Sequence, residues 1–144
     1  MQKYIHEIFE EFKAAPSMED KKNVLRKYHN NLGLVIVLRG TYHPNIKYAV
    51  HSVPNYKPNN TPIGYSTTTI AFEAKRLYLF EENHPRVAPG FTEEQRQRIL
   101  IQILEALDKN DAVIFMNMLL KDQRVPDLNK ELIEEALPGI FRDE

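Results

Sequence analysis

Residues 92–107 read TEEQRQRILIQILEAL, and this stretch decides the fold class. Thr92 followed three residues later by Gln95 is a capping box, with Glu93 and Glu94 placed to favour the positive end of a helix. Ile99, Leu100, Ile103, Leu104 and Leu107 then recur at helical spacing and form one apolar face. Asp108 or Asn110 then starts another helix, Asp111 to Lys121, which is apolar almost all round: Val113, Ile114, Phe115, Met116, Met118, Leu119 and Leu120. A helix with so little polar face belongs at the centre of a domain.

The same reading extends outward. Ile5, Ile8, Phe9 and Phe12 form a helical stripe that Pro16 closes. Ser17, with Glu19 and Asp20 in the first turn, caps a second helix to about Tyr28, with Val24, Leu25 and Tyr28 inward. Asn30 or Asn31 caps a third over Leu32 to about Arg39, although the β-branched core of Leu34-Val35-Ile36-Val37-Leu38 also fits a buried strand. Ser66 or Thr67 caps a helix running through Phe80. Asn129 caps a last one, Lys130 to about Leu137, which Pro138-Gly139 stops, with Ile140 and Phe141 folding back on the core. Residues 43–65, with Pro44, Pro54, Pro58 and Pro62, read as a long irregular loop, and such loops are usually functional. The expected architecture is all-α, one domain over residues 1–144, with six or seven helices around that loop.

Composition narrows the function. The chain has 144 residues, no cysteine and no tryptophan. Disulfides, thiolate zinc sites, iron–sulfur clusters and cysteine nucleophiles are therefore excluded. No apolar run approaches the ~20 residues of a membrane-spanning helix, so no membrane partner is expected. Met1 to Glu7 carries no signal-peptide core, which points to a cytoplasm. His6, His29, His43, His51 and His84 show no metal-ligand spacing, and no metal is expected. Neither a nucleophile elbow nor a phosphate-cradling or dinucleotide motif occurs, so no cofactor is expected and the chain reads as a binding protein, not an enzyme.

The charge distribution is uneven. The net charge is −1, yet residues 21–72 hold Lys21, Lys22, Arg26, Lys27, Arg39, Lys47 and Lys57 and no Asp or Glu. Clustered bases of this kind suit a polyanion, because each Lys or Arg placed on a phosphate releases condensed counterions. Lys121, Arg124 and Lys130 form a second basic group beside a helix start. Tyr42, Tyr48, Tyr56 and Tyr65 interleave with Arg39, Lys47 and Lys57. That pattern fits aromatic support for a sugar–phosphate backbone, and equally fits tyrosines that pin the loop to the helices.

The order of several short motifs carries a resemblance. Glu7-Ile8 is followed by Val24-Leu25-Arg26-Lys27 and Asn30-Asn31, then by Leu38, Thr41-Tyr42, Tyr48 and Pro54. Leu119-Leu120-Lys121-Asp122, Leu132-Ile133-Glu134-Glu135-Ala136 and Leu137-Pro138-Gly139-Ile140 follow. This order resembles a family of small uncharacterised proteins of T-even-like bacteriophages. That family in turn resembles the N-terminal helical DNA-binding domain of the T-even phage ATP-dependent DNA ligase. The resemblance implies a helical module that grips duplex DNA across the minor groove through backbone phosphates, without the catalytic domain. Lys121 and Asp122 match an Arg-Asp pair of the ligase domain; the Cys-Gly that follows there is replaced here by Arg124-Val125-Pro126.

The expected function is a phage accessory protein in the host-cell cytoplasm that binds duplex or nicked DNA without sequence specificity. The contacts expected are Lys21, Lys22, Arg26, Lys27, Arg39, Lys47, Lys57, Lys121, Arg124 and Lys130, supported by Tyr42, Tyr48 and Tyr56. The alternative is an adaptor or inhibitor that binds a host or phage enzyme, such as a replication or transcription protein. A small-molecule binder acting against host defence is a third reading, without a pocket signature.

Overall fold

Side-chain caps set most of the helix starts. The computed structural model describes residues 3–62 and 65–142. Ile63 and Gly64, inside the expected irregular stretch, and the first two and last two residues lie outside the described ones. Seven α-helices occur among the described residues: α1 (Ile5–Ala14), α2 (Met18–Lys27), α3 (Leu32–Tyr42), α4 (Ile70–Glu73), α5 (Glu93–Ala106), α6 (Lys109–Leu119) and α7 (Lys130–Ala136). Ser17, Asn31, Thr92, Asp108 and Asn129 each accept a backbone N–H from the first turn of the helix they precede. At Thr92 the box closes, the Gln95 side chain accepting the Thr92 N–H in return.

Residues 32–42 are a helix and not a strand. Leu34, Val37, Leu38 and Thr41 lie buried at helical spacing, and the Asn31 side chain accepts the Leu34 N–H at 3.2 Å. The helix continues to Tyr42, three residues beyond the expected end. The next helix starts later than expected. Ser66 bonds the Tyr4 hydroxyl and Thr68 donates to Glu73, so Thr69 is left to cap, accepting the Phe72 N–H at 3.1 Å. After one α-turn, Ala74–Phe80 tightens into a 3₁₀-helix, longer than the three or four residues usual for that form.

As its composition implies, α6 is central. It packs against α1, α3 and α5, while α2 packs against α7. Phe80 meets Phe115 of α6 edge-on at 6.2 Å between ring centres, and both are buried. Between Tyr42 and Ile70 the described residues carry no helix. That segment is tied down at Tyr48, which forms an isolated antiparallel bridge with Glu81; Ala49 N–H donates to Phe80 and Glu82 N–H to Lys47. No helix is long and apolar enough to cross a membrane.

Candidate nucleic-acid interface

The first four of the expected phosphate contacts sit on α2, and all but Arg26 find their main partners on other elements. Lys21 is buried, its ammonium donating to the Phe12 carbonyl at 3.0 Å and the Lys13 carbonyl at 3.4 Å. It closes the C-terminal end of α1, where a cation is favoured, and leaves the contact set. Lys22 pairs with Glu135 of α7, Arg26 with Glu19 at 3.0 Å, and Lys27 with Glu11 of α1 at 3.1 Å. The Lys27 hydrogen bond holds the Glu11 carboxyl below its ordinary range, and Lys22 does the same for Glu135. The acid-free run of sequence is thus not an acid-free surface: glutamates from α1 and α7 stand beside its bases.

Arg39 donates to the carbonyls of Ile140 at 2.7 Å and Arg142 at 3.1 Å, which fastens the C-terminal segment against α3. Lys130 pairs with Glu134 at 2.9 Å and lies 5.5 Å from the centre of the Phe141 ring. Lys47 and Lys57 differ from these. Both are exposed, and neither ammonium is in an ion pair among the described residues. The backbone N–H of Lys57 donates to Glu105 at 2.7 Å, which fixes its place at the end of α5.

Three of the four interleaved tyrosines follow the pinning reading, while Tyr65 is 74% exposed. Tyr48 is 3% exposed, and Tyr42 and Tyr56 pack half-buried against the core. Burial pushes the Tyr42 hydroxyl up to about 12, with the Asp122 charge adding to the effect. Burial raises Tyr48 and Tyr56 in the same direction. They preorganise the segment instead of offering open rings.

The connection between α6 and α7 holds three of the four non-glycine residues with positive φ among the described residues. Lys121, Arg124 and Asp127 have φ of 64°, 56° and 69°. Non-glycine residues held in this region cost about 1–3 kcal/mol each and persist only where their surroundings fix them. Those surroundings are visible. The Lys121 ammonium donates to the Gly40 carbonyl at 3.1 Å and the His43 carbonyl at 2.8 Å, at the end of α3. Its burial pulls its pKa down. Gln123 is buried and donates to Thr41 and to the Ile114 carbonyl, both at 3.0 Å. Asp122 accepts the Arg124 N–H at 2.9 Å. Lys121 therefore also leaves the contact set, as the anchor of the turn. Arg124 remains exposed, in no ion pair among the described residues, and borders a groove of about 420 Å³ together with His6, Lys13, Asn110, Asn117 and Gln123.

One cluster carries no spacing signal. His6 Nδ1 lies 2.9 Å from Asp111 and 3.4 Å from Asp108, residues more than a hundred positions away. Asp111 accepts the backbone N–H groups of Ile5 and His6, and Asp108 caps α6. Burial raises the Asp111 carboxyl against the opposing pull of its His6 hydrogen bonds. An imidazole and two carboxylates within 4.8 Å have the donor chemistry of a divalent metal site. The oxygens that face the ring already accept backbone N–H groups, so the cluster acts as a clasp between the starts of α1 and α6.

Residues 8–127 match the model of a family of unknown function (DUF6433), and the chain belongs to that family. No curated protein matches it.

Proposed function

We propose that this DUF6433 protein is a non-enzymatic phage accessory protein that binds duplex or nicked duplex DNA through backbone phosphates, in the host-cell cytoplasm. The reading rests on the turn between α6 and α7. Lys121, Arg124 and Asp127 have left-handed backbone there, the half-buried Lys121 and the buried Gln123 tie the turn to the end of α3, and Arg124 stands exposed. The same turn holds Lys121-Asp122, where the chain resembles the DNA-binding domain of the phage ligase. The contact surface is Arg124 with Lys47 and Lys57, the exposed bases of the expected set whose side chains are in no ion pair among the described residues. The long irregular segment is the platform of Lys47 and Lys57, held to the core by Tyr42, Tyr48 and Tyr56. The bases of α2, facing Glu11, Glu19 and Glu135, contribute little.

Three phosphate contacts give a slope of about −2.7 in log affinity against log salt. Anisotropy of a labelled nicked duplex, read between about 50 and 200 mM salt, should show affinity falling by about 40-fold. Changing Lys47, Lys57 and Arg124 together to Glu should abolish binding with no loss of helical signal. No binding at low salt, or binding without a salt slope, removes the proposal.

The neutralised α2 face favours a second reading, an adaptor for a host or phage enzyme. Beside Arg26, an apolar groove runs along Val35, Ala136, Leu137 and Ile140. Affinity capture from infected cells separates the readings. A partner retained after nuclease treatment supports the adaptor; one lost with the DNA supports the DNA binder.

A further inference from the structure

We infer that the face of α4 and its 3₁₀ extension is a stacking platform for single-stranded nucleic acid, distinct from the duplex contacts proposed above and independent of them. A 3₁₀-helix repeats every three residues, so side chains at i and i+3 eclipse. Over Ala74–Phe80 this pitch aligns Lys75 with Tyr78, and Phe72 precedes them in the same register. The contacts confirm the alignment: the Lys75 ammonium lies 4.7 Å from the centre of the Phe72 ring, and the Arg86 guanidinium 4.5 Å from that of Tyr78. The His84 ring meets Tyr78 at 5.5 Å, and His84 Nδ1 accepts the Arg86 N–H at 3.1 Å, which fixes where Arg86 leaves the backbone.

The result is a stripe of Phe72, Lys75, Tyr78 and Arg86 in which rings alternate with cations. Phe72 is 60% exposed, a large apolar surface with no packing role to explain it. Lys75 and Arg86 are exposed and in no ion pair among the described residues. Beside Phe72, Glu73 is buried and held by Arg76 at 2.7 Å and Thr68 at 2.6 Å, so it does not oppose an anion at that end of the stripe; Glu81 and the exposed Glu82 follow the other end. An aromatic face beside unpaired cations suits unstacked bases with their phosphates. It does not suit a duplex, whose bases are covered. It is less suited to an acidic peptide, which would leave the Phe72 ring unmatched.

The test uses a fluorescein-labelled oligo-dT of about 15 nucleotides, a length that spans a typical binding site for one strand. Phe72→Ala should weaken its binding by about tenfold, the loss of one base–ring stack, while circular dichroism and melting stay unchanged. Changing Lys75 and Arg86 together to Gln should flatten the salt slope by about 1.4. Phe72→Trp places a lone tryptophan on the stripe, and its fluorescence should be quenched as the oligonucleotide binds. No binding of oligo-dT, or equal binding by Phe72→Ala, overturns the inference even if the duplex binds. Phe72-dependent binding of oligo-dT without any duplex binding supports it and removes the duplex proposal instead.

Discussion

The two halves of the acid-free run both carry bases and no Asp or Glu, and they differ in their surroundings. The first half, α2, lies between α1 and α7, and both neighbours bring glutamates to it: Glu11 reaches Lys27 and Glu135 reaches Lys22. The second half follows α3 and passes Glu82 at Lys47 and the end of α5 at Lys57, and neither ammonium is in an ion pair among the described residues. A run of like charge along a chain is therefore not a field in space. What matters is which faces the packing brings alongside.

The largest effect expected concerns neither half but the anchor beside them. Lys121→Met leaves the Gly40 and His43 carbonyls without their donor and should destabilise the protein by about 1–3 kcal/mol in urea unfolding. The salt slope of DNA binding should not change, because Lys121 points inward. An unchanged unfolding midpoint would show that the turn is not held in this way. Gly40→Ala tests the same contact from α3. A Cβ there would stand 2.6 Å from the Met118 sulfur and 2.8 Å from the Tyr48 hydroxyl. Repacking should cost about 1–3 kcal/mol, and a neutral result would mean that the α3–α6 contact yields more easily than its distances imply.

Smaller effects sharpen the comparison itself. Lys47→Gln should lower the salt slope by about 0.9, one phosphate contact, whereas Lys22→Gln should leave it unchanged. Smallest is the stability change on α2. Exposed ion pairs contribute about 0–1 kcal/mol, so Lys27→Gln should be nearly neutral. Its pH dependence has a definite sign. Lys27 lowers the Glu11 carboxyl, so whatever the pair contributes is present above the ordinary carboxylate range and lost as pH falls through the lowered value. Wild type and Lys27→Gln should therefore differ most near neutrality and converge in acid. A gap that widens in acid would reverse that assignment.

Local signals were legible and non-local ones were not. Ser17, Asn31, Thr92, Asp108 and Asn129 cap within three residues of themselves, so each could be read from the chain. The cap of α4 was misplaced because Ser66, Thr67, Thr68 and Thr69 are all chemically able to cap. Their partners chose among them: the distant Tyr4 engages Ser66, and Glu73 of α4 itself engages Thr68. The candidate interface was harder. Nothing near Lys22 announces Glu135, and nothing near Lys121 announces the end of α3. The resemblance marked Lys121-Asp122 as notable, yet only the packing shows that Lys121 faces inward and Arg124 outward. The Phe72 stripe depends on a 3₁₀ pitch that helical periodicity alone does not predict.

In the proposed complex DNA meets Lys47, Lys57 and Arg124 and not α2. Two triple variants test it side by side on the same nicked duplex across salt. Changing Lys22, Arg26 and Lys27 to Gln should leave the slope unchanged. Changing Lys47, Lys57 and Arg124 to Gln should flatten it by about 2.7. A slope that collapses with the first set and survives the second would contradict the account and return the interface to α2.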